Sequence, residues 1–198
     1  MKTKDQFKIR LGLPESSHRE MVDIFYEAFQ QKLCPIMGTR ERGVSFLQRY
    51  LNPEATVVAM DGNRVVGIAG IQYPGCHFFS PSLYDLVCEF GLLRGFLKIV
   101  RLRLFHSPDR EGELYLKAFM VSSPMRGKGI GTNLLEAVSG FARSNGFRAV
   151  RVDVVDTNPD ARRLYERNEF VAIKIRKCPF LCRAMGFSSA ITMIKEIT

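Results

Sequence analysis

The sequence predicts an α+β fold in which helices cover a mixed β-sheet of about seven strands. The chain has 198 residues, of which 46% are hydrophobic and 25% are charged, a composition typical of a globular domain with a real core. Strand and helix patterns alternate in its second half, as they do in sheets covered by helices. In its first half, two β-branched runs flank Asp61-Gly62, which indicates an antiparallel hairpin.

The first half supplies three predicted strands and two predicted helices. Alternating polar and apolar residues predict a strand over 6–11. Ser17 and Glu20 have the spacing of a capping box, ahead of apolar residues at helical intervals. A second helix is expected from Thr39 to Leu51, and the run ATVVAMDGNRVVGIAGIQY then forms the hairpin.

The second half supplies four more predicted strands, over residues 114–121, 148–155, 170–175 and 190–197. A helix follows the glycines near residue 130 and ends at Gly146. Asn158-Pro159 begins another helix, with asparagine as the N-cap and proline at the first helical position. No repeat or low-complexity linker interrupts the chain, so residues 1–198 are predicted to form a single domain.

Composition and charge narrow the function classes. The first residues contain no apolar run of signal-peptide length, and no stretch approaches the ~18–20 apolar residues that span a bilayer, so we expect a cytoplasmic protein without membrane insertion. The five cysteines and three histidines are scattered, so neither a disulfide scaffold nor a metal site is expected. A net charge of +9 favours polyanionic partners, from nucleic acid to a phosphorylated cofactor, without choosing among them.

Residues 126–131, RGKGIG, lie between a predicted strand and a predicted helix and indicate a phosphate-binding loop. A nucleotide P-loop is excluded, because it needs glycine at Ser122 and serine or threonine at Gly129. The dinucleotide fingerprint fails at Thr132, where its third glycine belongs, although Asp153 lies where a ribose-binding acid is found.

The remaining interpretation is a cradle of backbone N–H groups over residues 127–131 and the start of the helix. Such a cradle binds a diphosphate without a metal, and Arg126 and Lys128 add cationic donors. The alternative is a tight turn that uses glycine only for its dihedral angles.

Two blocks of the sequence resemble the GNAT superfamily of N-acetyltransferases. FMVSSPMRGKGIGTNLL resembles the family's acetyl-CoA loop, whose core Arg/Gln-x-x-Gly-x-Gly/Ala is met by Arg126, Gly129 and Gly131. NPDARRLYERNEF, which starts 27 residues after Gly131, resembles the second block, N-x-x-A-x-x-L-Y-E-x-x-G-F. The resemblance implies a three-layer α/β/α acyl-CoA N-acyltransferase fold with a mostly antiparallel, twisted sheet, and it implies acetyl-CoA as the cosubstrate.

The resemblance also implies roles for particular residues. Tyr165 would protonate the departing thiolate, with packing beside Leu164 as the alternative. Glu113, 13 residues before the loop arginine, would be the base, with an exposed strand-edge acid and a water relay as alternatives. Asn158 would bind the pantetheine arm or only cap its helix. The residues implied to hold acetyl-CoA are Phe119, Met120, Val121, Arg126, Gly127, Lys128, Gly129, Ile130, Gly131, Thr132 and Asn158, with no metal.

The chain departs from the second block at Glu169, where the family usually has glycine. That glycine commonly ends the helix in the left-handed conformation, which costs another residue roughly 1–2 kcal/mol. Asn168 tolerates this conformation better, so we expect it to take over the cap.

Residues 74–110 form a predicted helical insertion between two strands that minimal family members join by a short turn. We expect one or two amphipathic helices, broken at Gly91 or Gly95. The apolar face would carry Leu93, Leu97, Val100 and Leu104, and a basic stripe Arg94, Lys98 and Arg101. The aromatic residues Phe78, Phe79, Tyr84 and Phe90 are candidates for lining an acceptor pocket. Four interpretations of this segment are open: a lid over the acceptor site, a homodimer interface, a surface for anionic lipid, or plain packing. The first two are favoured over lipid binding because the segment is internal and is joined to the domain at both ends.

The resemblance thus implies an acetyl-CoA-dependent N-acetyltransferase that transfers the acetyl group directly to a primary amine in a ternary complex. No cysteine lies in the two blocks, which disfavours an acyl-cysteine intermediate. The acceptor is a small-molecule amine or a protein amino group, and nucleic acid is not an expected partner. The alternative is a regulatory protein that binds acyl-CoA with little catalysis.

Overall fold

The computed structural model of the chain describes residues 7–91, 108–177 and 186–198, and its centre is one sheet of seven strands. The strands are β1 Lys8–Leu11, β2 Thr56–Asp61, β3 Arg64–Gln72, β4 Glu113–Val121, β5 Ala149–Val155, β6 Val171–Lys177 and β7 Ser189–Glu196. Their order in the sheet is β1-β2-β3-β4-β5-β7-β6. β4 and β5 are parallel and every other neighbouring pair is antiparallel, so the predicted mixed, mostly antiparallel sheet is confirmed.

Helices cover both faces of this sheet. They are α1 His18–Met37, α2 Arg40–Tyr50, α3 Leu83–Phe90, α4 Ile130–Ser144 and α5 Pro159–Arg167. One buried cluster joins α1, α2 and α3 to residues of the sheet such as Ile68 and Met120. A second joins α4 and α5 to residues such as Leu116 and Val152. We call these two sides the α1 face and the α4 face, and together with the sheet they form the three predicted layers.

Local signals place most of these elements where the sequence predicts them. The Thr39 hydroxyl accepts a hydrogen bond from the N–H of Arg42 at the start of α2. Gly62 turns the β2–β3 hairpin with φ +59°. The helix α1 begins directly after Ser17, but the Glu20 carboxylate accepts a hydrogen bond from the N–H of Val65 at 3.2 Å. Glu20 therefore ties α1 to β3.

The described part of the insertion packs on the α1 face. Ser82 and Asp85 form a capping box at the start of α3, and Gly91 ends this helix, one of the two predicted break points. Phe78 is buried, with its ring centroid 5.6 Å from that of Phe25, so it belongs to the core. Tyr84 is 75% exposed. The predicted apolar face and basic stripe lie outside the described residues, as does the second candidate break point at Gly95.

The helix that carries this capping box is held against α2 by charge. The Glu89 carboxylate pairs with Arg42 at 3.0 Å and also with Arg49. The hydrogen bond from Arg42, together with that from Arg49 and the charge of both arginines, lowers the pKa of the Glu89 carboxyl group, although burial acts in the opposite direction. Across the described ranges, no helix has both the length and the apolar character needed to cross a bilayer.

Candidate functional site

The parallel strands β4 and β5 pair over only part of their length. Registered pairs run from Glu113 with Ala149 to Leu116 with Val152, whereas β4 continues to Val121 and β5 to Val155. We call the unpaired region beyond the last pair the β4–β5 cleft. On its β5 side, the backbone of residues 117–121 has no strand partner among the residues described. Phe119, Met120 and Val121, the predicted partners of a pantetheine arm, line this cleft.

The glycine loop lies at the far end of β4. Gly127 and Gly129 have φ of +76° and +82°, conformations that favour glycine. The helix α4 begins at Ile130, and its N-cap Gly129 offers no side-chain hydrogen bond. The N–H groups of the first turn, which includes Gly131 and Thr132, therefore lack a side-chain cap. This geometry fits both a phosphate cradle and a tight turn.

The third glycine brings the two sequence blocks together. A Cβ at Gly131 would lie 3.1 Å from Leu164 Cδ2 and 3.7 Å from Phe119 Cε1. Glycine at this position therefore lets α4 approach α5 and β4 closely. The glycine loop and the helix that carries Tyr165 meet at this contact.

The polar residues predicted around the loop have local partners. Arg126 Nε donates to the carbonyl oxygen of Val121 at 3.3 Å, and Lys128 Nζ lies 3.3 Å from the sulfur of Met125. Both side chains are on exposed residues beside the loop. Asn158 Oδ1 caps α5 by accepting from the N–H of Ala161 at 3.2 Å. Capping uses only this oxygen, so the amide NH₂ on the other arm of Asn158 can still donate.

Tyr165 lies on the α4 face beside the cleft. Its side chain is 4% exposed, and its ring centroid lies 6.0 Å from that of Phe119 and 5.5 Å from that of Phe170. Burial raises the pKa of Tyr165 far above its usual value, and the nearby Tyr115 raises it further. The phenol of Tyr165 is therefore neutral at physiological pH and keeps its proton.

The turn after α5 differs from the expectation. Glu169 itself adopts the left-handed conformation, with φ +69°, whereas Asn168 has φ −104°. Asn168 is the C-cap residue of α5, as expected, but the left-handed conformation belongs to the next residue, Glu169. Asn168 donates from Nδ2 to the carbonyl oxygen of Leu164 at 2.8 Å, which holds it in the last turn of the helix. The turn at Glu169 directs Phe170 against Tyr165.

Glu113 lies at the opposite end of β4 from the glycine loop. It is four residues from the start of the cleft, about 13 Å at ~3.3 Å per residue. Its carboxylate accepts from Arg151 Nε at 2.6 Å, and Arg151 also donates to the carbonyl oxygen of Pro108 at 2.8 Å. The Arg151 side chain is only 2% exposed. The structure therefore does not bring Glu113 to Tyr165 and places it in an ion pair with a buried arginine.

Sequence reasoning missed a polar cluster at the start of the cleft. Asp153 is the first residue of β5 beyond the last pair with β4, and it points to the α1 face, since Val152 and Val154 pack on the α4 face. Its carboxylate accepts from Tyr115 Oη at 3.1 Å, Arg176 Nη2 at 2.8 Å and Thr192 Oγ1 at 2.6 Å. The available signal was one acid within the otherwise apolar and basic strand AVRVDVV, which the sequence analysis considered only for a ribose.

The described residues around the cleft do not form a group that could hold a metal ion. Within the part of the chain that the structure describes, no group of three or more His, Cys, Asp or Glu residues is arranged to hold a metal ion.

Comparisons with known proteins identify the family. A family model described as Acetyltransferase (GNAT) family matches residues 18–170. The probable N-acetyltransferase camello of Xenopus tropicalis is 36% identical over 75 residues, which make up 38% of this chain and 34% of that protein. The match thus spans about a third of the length of this curated relative.

Solved structures of acetyltransferases share the fold over nearly the whole chain. A crystal structure of an acetyltransferase superposes with a TM-score of 0.64 at 24% identity, covering 96% of this chain and 100% of that one. Ard1 from Thermoplasma volcanium gives 0.60 at 18% identity over 98% and 99% of the two chains. The ribosomal-protein-S18-alanine N-acetyltransferase from Escherichia coli gives 0.57 at 17% identity over 97% and 94%. With a family model that matches well over half of its residues and a sheet shared with these structures, the chain belongs to the GNAT family of acetyltransferases.

Proposed function

We propose that the protein is an acetyl-CoA-dependent N-acetyltransferase that transfers the acetyl group directly to a primary amine in a ternary complex. One observation carries the proposal: the β4–β5 cleft has the glycine loop at its far end, the buried phenol of Tyr165 on one face and the Asp153 carboxylate on the other. An anion site, a proton donor and a proton acceptor are the groups that thioester aminolysis requires.

Acetyl-CoA fits the cleft by its chemistry. The amides of the pantetheine arm can pair with the unpaired side of Phe119, Met120 and Val121, as an added strand does. The diphosphate can lie on the backbone N–H groups of residues 127–132, where the positive end of the α4 dipole faces it. The basic side chains of Arg126 and Lys128 flank this position, and the Asn158 amide NH₂ can donate to the arm.

Tyr165 supplies the proton to the departing thiolate. Burial disfavours the phenolate, so the phenol keeps its proton until the thiolate forms beside it. A backbone N–H of the cleft would stabilise the oxyanion of the tetrahedral intermediate.

Asp153 receives the proton of the attacking amine, in place of Glu113. It lies where the cleft begins, whereas Glu113 lies about 13 Å away, at the other end of β4. Asp153 and Tyr165 act from opposite faces of the sheet, and Tyr115 interacts with both: its hydroxyl group donates to Asp153, and its presence raises the pKa of Tyr165.

The proposal is tested by calorimetry with acetyl-CoA and by thiol release in the presence of a panel of small amines and peptides with free N-termini. We expect acetyl-CoA binding, and amine-dependent release of coenzyme A with at least one class of acceptor. Absence of acetyl-CoA binding would overturn the proposal. Binding without thiol release for any acceptor would favour the acyl-CoA-binding regulator.

The variant Tyr165→Phe tests the assigned proton donor. It removes only the hydroxyl group, so we expect kcat to fall about 10²-fold or more while the affinity for acetyl-CoA stays within a few-fold. A variant with unchanged kcat would show that Tyr165 is only a packing residue.

A further inference from the structure

A lysine lies at the start of the cleft, where the register between β3 and β4 is interrupted. Gly70 of β3 pairs with Ala118 and Ile71 pairs with Leu116, so Lys117 is the extra residue of a bulge. Lys117 is also the first residue of β4 beyond its last pair with β5, as Asp153 is the first residue of β5. Bulges often redirect a side chain beside an active site.

The Lys117 side chain lies on the same face as Asp153. Its Nζ is 5.5 Å from the centroid of the Tyr115 ring, and the hydroxyl group of that ring donates to Asp153. Tyr115 points to the α1 face, because its neighbours Leu114 and Leu116 pack on the α4 face. The proposed mechanism brings the acceptor amine to this side of the cleft. A primary amine of the chain itself is therefore already present there.

The surroundings of Lys117 favour its nucleophilic form. Burial lowers the pKa of its ammonium group, Arg151 lowers it further, and the carboxylates of Asp153 and Asp109 act in the opposite direction. Arg176, which is paired with Asp153, is a further nearby cation of the cluster. A lowered pKa increases the fraction of neutral amine, the form that attacks a thioester.

We propose that Lys117 is an internal acceptor, so that without an external amine the enzyme acetylates Lys117 Nζ within its own cleft. This inference rests on the proposed function. The Nζ lone pair attacks the carbonyl carbon of acetyl-CoA, the C–N bond forms and the C–S bond breaks. The nitrogen loses a proton to Asp153 and the thiolate takes the proton of Tyr165. The products are acetyl-lysine and coenzyme A, and no oxidant, reductant or metal is needed.

The experiment incubates the purified protein with isotope-labelled acetyl-CoA and no amine, and follows each lysine peptide by mass spectrometry over time. Lys195 is the matched internal control, because its side chain is also partly buried, at 19% exposed, and lies away from the cleft, where it pairs with Glu169 at 3.0 Å. We expect Lys117 to gain the label at least about tenfold faster than Lys195, a small part of what a positioned proton donor and acceptor contribute. The first-order rate should not change on dilution of the protein, and an external acceptor should slow it.

Two variants separate catalysed from spontaneous acetylation. Tyr165→Phe should lower the labelling rate of Lys117 by about 10²-fold without changing that of Lys195. Lys117→Arg keeps the positive charge and should abolish the labelled peptide while retaining acetyl-CoA binding. Protein unfolded in urea should lose the preference for Lys117.

The outcomes distinguish this inference from the proposed function. Turnover of external amines with no label on Lys117 overturns the internal acceptor and leaves the proposed function intact. Labelling that accelerates with protein concentration, or that is equal in Tyr165→Phe, also overturns it. Failure to bind acetyl-CoA overturns both.

Discussion

Glu169 is the one residue other than glycine with positive φ in the described part of the chain. The left-handed conformation costs a side-chain-bearing residue about 1–2 kcal/mol. The ion pair between Glu169 and Lys195 offsets little of this cost, because the Glu169 side chain is 81% exposed and exposed pairs contribute about 0–1 kcal/mol to stability. We therefore expect Glu169→Gly to raise the free energy of unfolding by about 1 kcal/mol in urea denaturation. Glu169→Ala removes the ion pair but keeps the strain, and equal stabilisation by both variants would contradict this reasoning.

Two carboxylates of neighbouring strands, Asp153 and Glu113, are assigned different roles, and matched amide variants separate them. Asp153→Asn should lower kcat by about 10²–10⁴-fold with acetyl-CoA affinity nearly unchanged, because it removes the proposed proton acceptor at the cleft. Glu113→Gln should leave kcat within a few-fold and lower the free energy of unfolding. It leaves the buried charge of Arg151 without its anion, which costs about 3 kcal/mol. Steady-state kinetics and urea denaturation measure both effects, and an inactive but stable Glu113→Gln variant would restore Glu113 as the base.

At the level of elements, the two ends of α4 offer a controlled comparison. Gly129 precedes the helix and Gly146 follows it, and both adopt the left-handed conformation, with φ of +82° and +72°. A Cβ would meet nothing within 4 Å at either position. Alanine at each should therefore cost a similar 1–2 kcal/mol of stability through backbone strain alone. Only Gly129→Ala should also weaken acetyl-CoA binding in calorimetry, since only that end presents N–H groups at the proposed diphosphate position. Equal binding by the two variants would leave the loop as a tight turn.

The elements themselves could be predicted because their signals are local. Asn158 and Pro159 start α5, Gly146 follows the end of α4, and Gly62 turns the hairpin, each within one or two residues of its expected place. The pairing of β4 with β5 could not be predicted. Alternating side chains look alike in parallel and antiparallel pairs, and the bulge at Lys117 depends on how β3 aligns with β4.

The candidate site likewise has one part that the sequence predicted and another that it did not. The glycine loop and Tyr165 lie in contiguous blocks, so their spacing along the chain was visible in the sequence. Asp153 becomes a candidate site residue only through hydrogen bonds from β4, β6 and β7, which no spacing along one segment reveals. The hypothesis for Glu113 relied on its distance in sequence from the loop arginine. A distance along the sequence does not show that the cleft opens only at the other end of β4.

At the scale of the whole molecule, the net charge of +9 would attract the proposed cosubstrate acetyl-CoA, which is an anion. Coenzyme A carries its charge on phosphate groups at one end, whereas the acetyl-pantetheine end is uncharged. Raising NaCl from about 0.1 M to about 1 M shortens the Debye length from ~10 Å to ~3 Å, so it screens long-range attraction and leaves hydrogen bonds and packing in place. We therefore expect the affinity for acetyl-CoA, measured by calorimetry, to fall markedly over this range.

Acetyl-pantetheine, which lacks the phosphates, is the matched ligand for this measurement. It should bind more weakly than acetyl-CoA at low salt but with nearly the same affinity at both salt concentrations, because it contacts only the cleft. An Arg126→Ala, Lys128→Ala double variant then separates the local cations from the field of the whole protein. If these two side chains dominate, the variant should lose most of the salt dependence. If the overall charge dominates, the dependence should persist. A loss of affinity that is equal for acetyl-CoA and acetyl-pantetheine would contradict the assignment of the diphosphate to residues 127–132.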